Sequence, residues 1–194
     1  MNKAIEIIHD EHMALAAVLN AMLHIVDGIE SRKSVPDFEL LSLIVKYIAE
    51  VPENLHHPKE DQYLFTFLRR KWPASTEVLA QLEKEHRGGG ERISSLQSAL
   101  SEYQRLGDLG FQKFSAEART FAAQEWRHMS LEEKKVMPLA REYLAKEDWN
   151  EIYEAFTRNG NPWQGTNQEY DRMFTRIVSL VPPPLGVGPE SDTE

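Results

Sequence analysis

Apolar residues recur every three to four positions along most of this chain, the period of helices buried on one face. From residue 3 to about 28 the inward positions are Ile5, Ile8, His12, Leu15, Leu19, Met22 and Val26. Residues 38–51 repeat the pattern at Leu41, Ile44 and Ile48, and it resumes at Tyr63, Leu64, Phe67 and Leu68. A third stripe passes through Leu79, Leu82, His86, Ile93, Leu96 and Leu100, and a fourth through Phe114, Ala118, Phe121, Val136 and Leu139. The loops between them are short, and nothing strand-like of useful length appears. The pattern predicts an all-α, up-down antiparallel four-helix bundle over residues 1–145.

Several breaks in the pattern predict local detail. Ser34 or Asp37 can cap the second helix around Pro36. Pro52 and Pro58 each remove a donor, so one kinked helix or two nearly collinear ones are expected there. Glycines 88–90 call for either a close neighbour or a helix break, since each costs about 1 kcal/mol in a helix. Two short helices follow as a C-terminal extension over residues 146–181. The first starts at KEDWNEIYEAF with Asp148 as its cap, and the second covers 168–180. The string NGNPWQG between them predicts a turn, and residues 182–194 form a proline-containing tail.

The inward stripes are not wholly apolar. In the fourth helix the stripe runs through Glu125, His128 and Glu132. Taking a bare charge out of water costs several kcal/mol unless it is paired, and a bound cation would satisfy that demand. One inward histidine comes from each bundle helix: His12, His56, His86 and His128. Glu60 and Glu132 follow His56 and His128 at four residues, so each pair shares a helix face. A cluster of solvated surface residues is the plain alternative, but the helical period places this set in the core stripe. Imidazole with carboxylate suits iron, manganese or zinc over calcium, and iron or manganese where both carboxylates bridge. His57 points a quarter-turn from His56, which predicts an outer-shell or surface position, with the role of an additional ligand as the alternative.

Composition narrows the classes. The 194-residue chain is 41% hydrophobic and carries a formal charge of -9, which argues against a nucleic-acid binder. It has no cysteine, so thiolate ligands and disulfides are excluded and any metal rests on nitrogen and oxygen. The start, MNKAIEIIHDEH, is too charged for a signal peptide, and no run is expected to approach the ~18–20 apolar residues of a membrane span. A soluble cytoplasmic protein, without a membrane or nucleic-acid partner, is expected.

The strings IIHDEH, HHPKEDQYLF, LEKEHRGGGE and WRHMSLEEKKVMPLA, in that order, resemble the hemerythrin-like family, the HHE cation-binding domain, in a bacterial branch. The resemblance covers roughly residues 1–145 and implies a four-helix bundle with two iron ions, bridged by carboxylates and an oxo or hydroxo group. It implies that His12 and His56 ligate one iron, that His86 and His128 ligate the other, and that Glu60 and Glu132 bridge; zinc or manganese are substitutes. The family's oxygen carrier has a histidine where this chain has Leu82, which leaves one position to Glu125, Glu83 or water. His9 and Glu125 stand as a compensating pair or as alternative ligands.

The function so implied is a non-haem di-iron protein that reacts with or senses dioxygen, nitric oxide or redox state. The alternatives are a di-iron oxidoreductase acting on peroxide or nitric oxide, and a structural or adaptor bundle that uses metal to fold. No Ser–His–Asp arrangement or Walker spacing supports another enzyme class. The expected partner is a small diatomic ligand or peroxide, and the last helices offer a surface for a homodimer.

Overall fold

The computed structural model describes residues 3–158 and 168–181. The expected turn at 159–165 and the tail at 182–194 lie outside the described residues. Among the described residues every regular element is helical, and four long rods form the bundle. Rod one is α1 (Lys3–Glu30). Rod two comprises α2 (Phe38–Val51), a π-helical turn (Pro52–His56), the single turn α3 (His57–Lys59), a second π-helical stretch (Glu60–Phe65) and α4 (Thr66–Lys71). Rod three is α5 (Thr76–Arg87) with α6 (Gly89–Leu106). Rod four is α7 (Asp108–Leu131), a π-helical turn (Glu132–Val136) and α8 (Met137–Tyr143).

Local chemistry sets the rod ends. Asp37 caps α2, its side chain accepting from the Leu40 N–H at 2.9 Å. Trp72 leaves helical geometry ahead of Pro73, which ends rod two. Rods three and four are joined through Gly107, whose φ of +59° is strained for any residue with a side chain. Gly110 then lets α6 and α7 close tightly: a Cβ there would lie 2.7 Å from Tyr103 Cα. The glycine run at 88–90 combines both expected readings. The helix is interrupted at Gly88, and the Glu53 carboxylate fills the space that a Cβ on Gly89 would need.

The two short helices complete the molecule. The helix α9 (Lys146–Thr157) buries Trp149, Ile152 and Phe156 against α1 and rod two. Asp148 sits inside it rather than at its cap, accepting the Ala145 N–H at 2.8 Å, so the helix begins three residues earlier than a cap at Asp148 implies. The helix α10 (Gln168–Leu180) packs Met173, Phe174 and Ile177 on α2 and α1, with Tyr47 and Phe174 rings 6.1 Å apart.

All the expected inward positions of α1 are buried. By length and composition alone α1 could cross a membrane, contrary to the expectation that no run approaches a span. Here most of its apolar residues pack inside the bundle, Met13 excepted, and it carries the buried Glu11 and His12. The apolar core forms two clusters. One holds Leu15 to Val26 of α1, much of α2 and α6, and Phe114 to Phe121 of α7. The other holds Ile5 and Ile8 with Leu64, Leu68, Leu79, Leu82, Val136 and α9. The polar inward residues sit between the two, as a layer crossing the bundle.

Candidate metal centre

That layer brings His12, His56, Glu60, His86, His128 and Glu132 together, all less than a tenth exposed. His12 Nε2 lies 2.9 Å from His56 Nε2, and His86 Nε2 lies 3.0 Å from His128 Nε2. Two pairs of nitrogens therefore face one another in the bundle centre. The two carboxylates lie between the pairs. Glu60 sets Oε1 at 3.2 Å from His56 Nε2 and Oε2 at 3.7 Å from His86 Nε2. Glu132 sets Oε2 at 3.3 Å from His12 Nε2 and Oε1 at 3.2 Å from His128 Nε2. All four carboxylate oxygens are buried, and no contact to them has hydrogen-bond geometry. Each such orphaned oxygen costs at least about 1–3 kcal/mol, so the layer calls for a cation. Its donors form two overlapping sets, each able to hold a metal ion: His12, His56, Glu60 and Glu132, and His86, His128, Glu60 and Glu132.

The outward nitrogens of the same imidazoles are each held by a carboxylate. His12 Nδ1 meets Glu133 at 3.0 Å, and His56 Nδ1 meets Glu11 at 2.6 Å. His86 Nδ1 meets Asp61 at 2.8 Å, and His128 Nδ1 meets Glu85 at 2.9 Å. An Nδ1–H donated outward leaves an Nε2 lone pair directed inward, the tautomer a metal requires. The acids form a closed circuit. Glu11 beside His12 serves His56 on rod two, and Asp61 beside Glu60 serves His86 on rod three. Glu85 beside His86 serves His128 on rod four, and Glu133 beside Glu132 returns to His12 on rod one. These four acids are the residues that reading the stripes overlooks. Their signal in the sequence is an acid directly next to an inward ligand on every rod.

The electrostatics express the same demand with protons as the cations. Burial alone would depress His12, but the facing Glu132 carboxylate and the hydrogen bond to Glu133 lift it to about 9. His86 is likewise lifted to about 9 against burial by Asp61 and Glu132, and His128 to about 10 by Glu132 and Glu60. His56 stands well above its ordinary value, since Glu60 and Glu11 outweigh burial. Burial would raise Glu132, but His128 and His12 hold it well below the carboxylate range. Glu133 falls to about 2 through its bond to His12.

His57 is buried rather than at the surface. It is 4% exposed, and its ring stacks on His86 with centroids 4.2 Å apart. Together with His86 and His128 it forms a third ligand set. Its Nδ1 is 3.3 Å from Glu53 without the alignment of a hydrogen bond. Burial, then the facing His86, His56 and His128, push it well below its ordinary value, so it stays neutral. The reason it turns inward is the backbone. In the turn before it the His57 N–H donates to Pro52 O, five residues back, and Pro58 supplies no donor at all. More residues per turn narrow the angle between neighbours, so His56 and His57 both reach the core. A matching π turn follows His128, where the Met137 N–H donates to Glu132 O ahead of Pro138.

The other candidates lie outside these sets. His9 is a 58% exposed side chain bound to Glu133 at 3.2 Å, and Glu83 pairs with Arg69 at 2.7 Å. Glu125 is buried and pairs with Arg92 at 3.2 Å, so His9 and Glu125 do not compensate one another. Leu82 is packed in the second apolar cluster. A cavity of about 350 Å³, lined by Gln81, Glu85, Arg92, Gln124, Arg127 and His128, reaches the layer's edge from solvent.

Compared with known proteins, residues 3–140 match the family model described as Hemerythrin HHE cation binding domain. Neither the curated proteins nor the solved structures gave a match.

Proposed function

Because the chain belongs to the hemerythrin HHE cation-binding family, we propose that its buried layer holds two iron ions and that the pair binds or senses dioxygen, nitric oxide or redox state. In this reading His12 and His56 hold one ion, and His86 and His128 hold the other. Glu60 and Glu132 are shared. His57 adds a third imidazole on the His86 side, taking the place of the histidine that Leu82 replaces. The carrying observation is the four buried carboxylate oxygens without hydrogen bonds, set between imidazoles whose Nδ1 atoms are already committed. Nitrogen and oxygen donors with shared carboxylates suit iron or manganese.

Bound iron would supply one-electron chemistry and an electron-accepting centre for a diatomic ligand. The chain's own part is to fix the imidazole tautomers through Glu11, Asp61, Glu85 and Glu133. The apolar clusters on either side limit water, while the cavity at His128 gives a small ligand a way in. That opening favours a reactive site over a closed structural one, and it is equally open to peroxide, the substrate class of the oxidoreductase reading.

Metal analysis and absorption spectroscopy test the proposal. Protein grown with iron should hold about two irons per chain, and its spectrum should change with dioxygen or nitric oxide. His57→Leu should weaken the site shared by His86 and His128 and spare its neighbour. A chain that takes up no more than one iron, or whose iron is spectrally silent to both gases and to peroxide, would overturn it.

A further inference from the structure

The outer face of rod four, directly behind His128 and Glu132, carries a feature that the metal layer does not need. Trp126 and Leu131 are half-buried and floor a shallow cavity of about 410 Å³. Arg127, Ser130, Lys134 and Lys135 form its rim. The acids in this stretch are already engaged: Glu132 is fully buried, and Glu133 is bound to His12 and His9. Arg127, Lys134 and Lys135 are exposed and make no ion pair among the described residues. A chain of net charge -9 thus presents three unpaired cations around an aromatic shelf at one place.

We propose that this face docks an acidic protein that carries single electrons, and that it is where the metal pair of the preceding section is reduced. The inference rests on that reading for its redox part, and on charge and shape for the docking. Positive residues around an apolar, Trp-centred spot match a negatively charged partner, steer its approach, and place the contact centre on an aromatic anchor. Position supplies the rest. His128 and Glu132 leave the same helical turns on the opposite side, so an electron has to cross only one helix, about 10–12 Å with its side chains. In each encounter the carrier loses one electron and the centre gains it, with no bond made or broken.

The test uses an acidic plant-type [2Fe–2S] ferredoxin as the carrier. Its affinity for the full chain is measured by titration calorimetry with zinc-loaded protein, and its electron delivery by stopped-flow absorbance with iron-loaded protein. Lys134→Glu with Lys135→Glu should weaken binding and slow delivery at least about tenfold at low salt, and added salt should weaken the unaltered chain's binding. Lys33→Glu with Arg105→Glu, at the opposite end of the bundle, makes the same change in net charge and should do far less. Dithionite should reduce both variants as it does the unaltered chain, which shows their metal layer intact. Equal losses in the two variants, binding indifferent to salt, or no binding at all would overturn the docking proposal. Iron that dithionite cannot reduce would instead count against the metal reading, with the docking result standing on the zinc-loaded protein.

Discussion

Glu11→Ala is the sharpest probe of the carboxylate circuit. Glu11 is the most deeply placed of the four acids: its side chain is 6% exposed and meets a His56 that is 7% exposed, at 2.6 Å. Truncation leaves the His56 Nδ1–H facing a buried space that water reaches poorly. Losing a charge-assisted hydrogen bond of this kind costs about 1.5–3 kcal/mol. In metal affinity that is roughly ten- to a hundredfold, the usual range for a residue that orients a ligand. The other three acids are 32–36% exposed, so water can take over their role and their alanine variants should lose less than about tenfold. Glu11→Gln keeps an oxygen to accept the N–H and should recover most of the loss. The assay is competition for the metal with a chelator of known affinity, with far-UV circular dichroism to confirm the fold. Unchanged affinity in Glu11→Ala, or a loss no larger than that of Glu85→Ala, would refute the argument from burial.

Three further outcomes follow from the charges and the packing. Metal uptake must displace the protons that His12 and His86 hold up to about 9 and His128 up to about 10, so binding should release protons and strengthen as pH rises from 6 towards 9. In chelator-treated protein those raised values stabilise the fold fully below the unfolded histidine value of about 6.5, and that contribution fades as pH climbs through about 9–10. The depressed Glu133 acts in the opposite sense, its contribution being lost only as pH falls towards about 2; thermal unfolding across pH reads both. Gly110→Ala places a Cβ 2.7 Å from Tyr103 Cα and 2.9 Å from the Glu102 carbonyl oxygen, so α6 and α7 must move apart. A loss of about 1–3 kcal/mol in urea unfolding is expected with metal stoichiometry unchanged, and no loss would show the contact to be slack.

The amphipathic period alone identified four bundle helices and two short ones, and each stripe position of α1 and rod three that it marked inward is buried. It also marked the six histidines and glutamates that meet in the layer, because a polar residue recurring in an apolar stripe has to be satisfied by something. Those are properties of one helix at a time, and a linear pattern carries them. What it could not carry were relations between helices and departures from the α-helical angle. His57 faces the core only because π turns around Pro58 alter the phase, which counting at 3.6 residues per turn turns outward. Glu125 looks as inward as His128, yet it belongs to Arg92 of another rod. The circuit of Glu11, Asp61, Glu85 and Glu133 exists only across rods, each acid serving a histidine 25 to 121 residues away. The sequence determined which face of each helix is buried, because burial follows the periodicity of the chain itself. Which acid reaches which imidazole was decided by the packing of the rods, because a hydrogen bond depends on distances that no single helix contains.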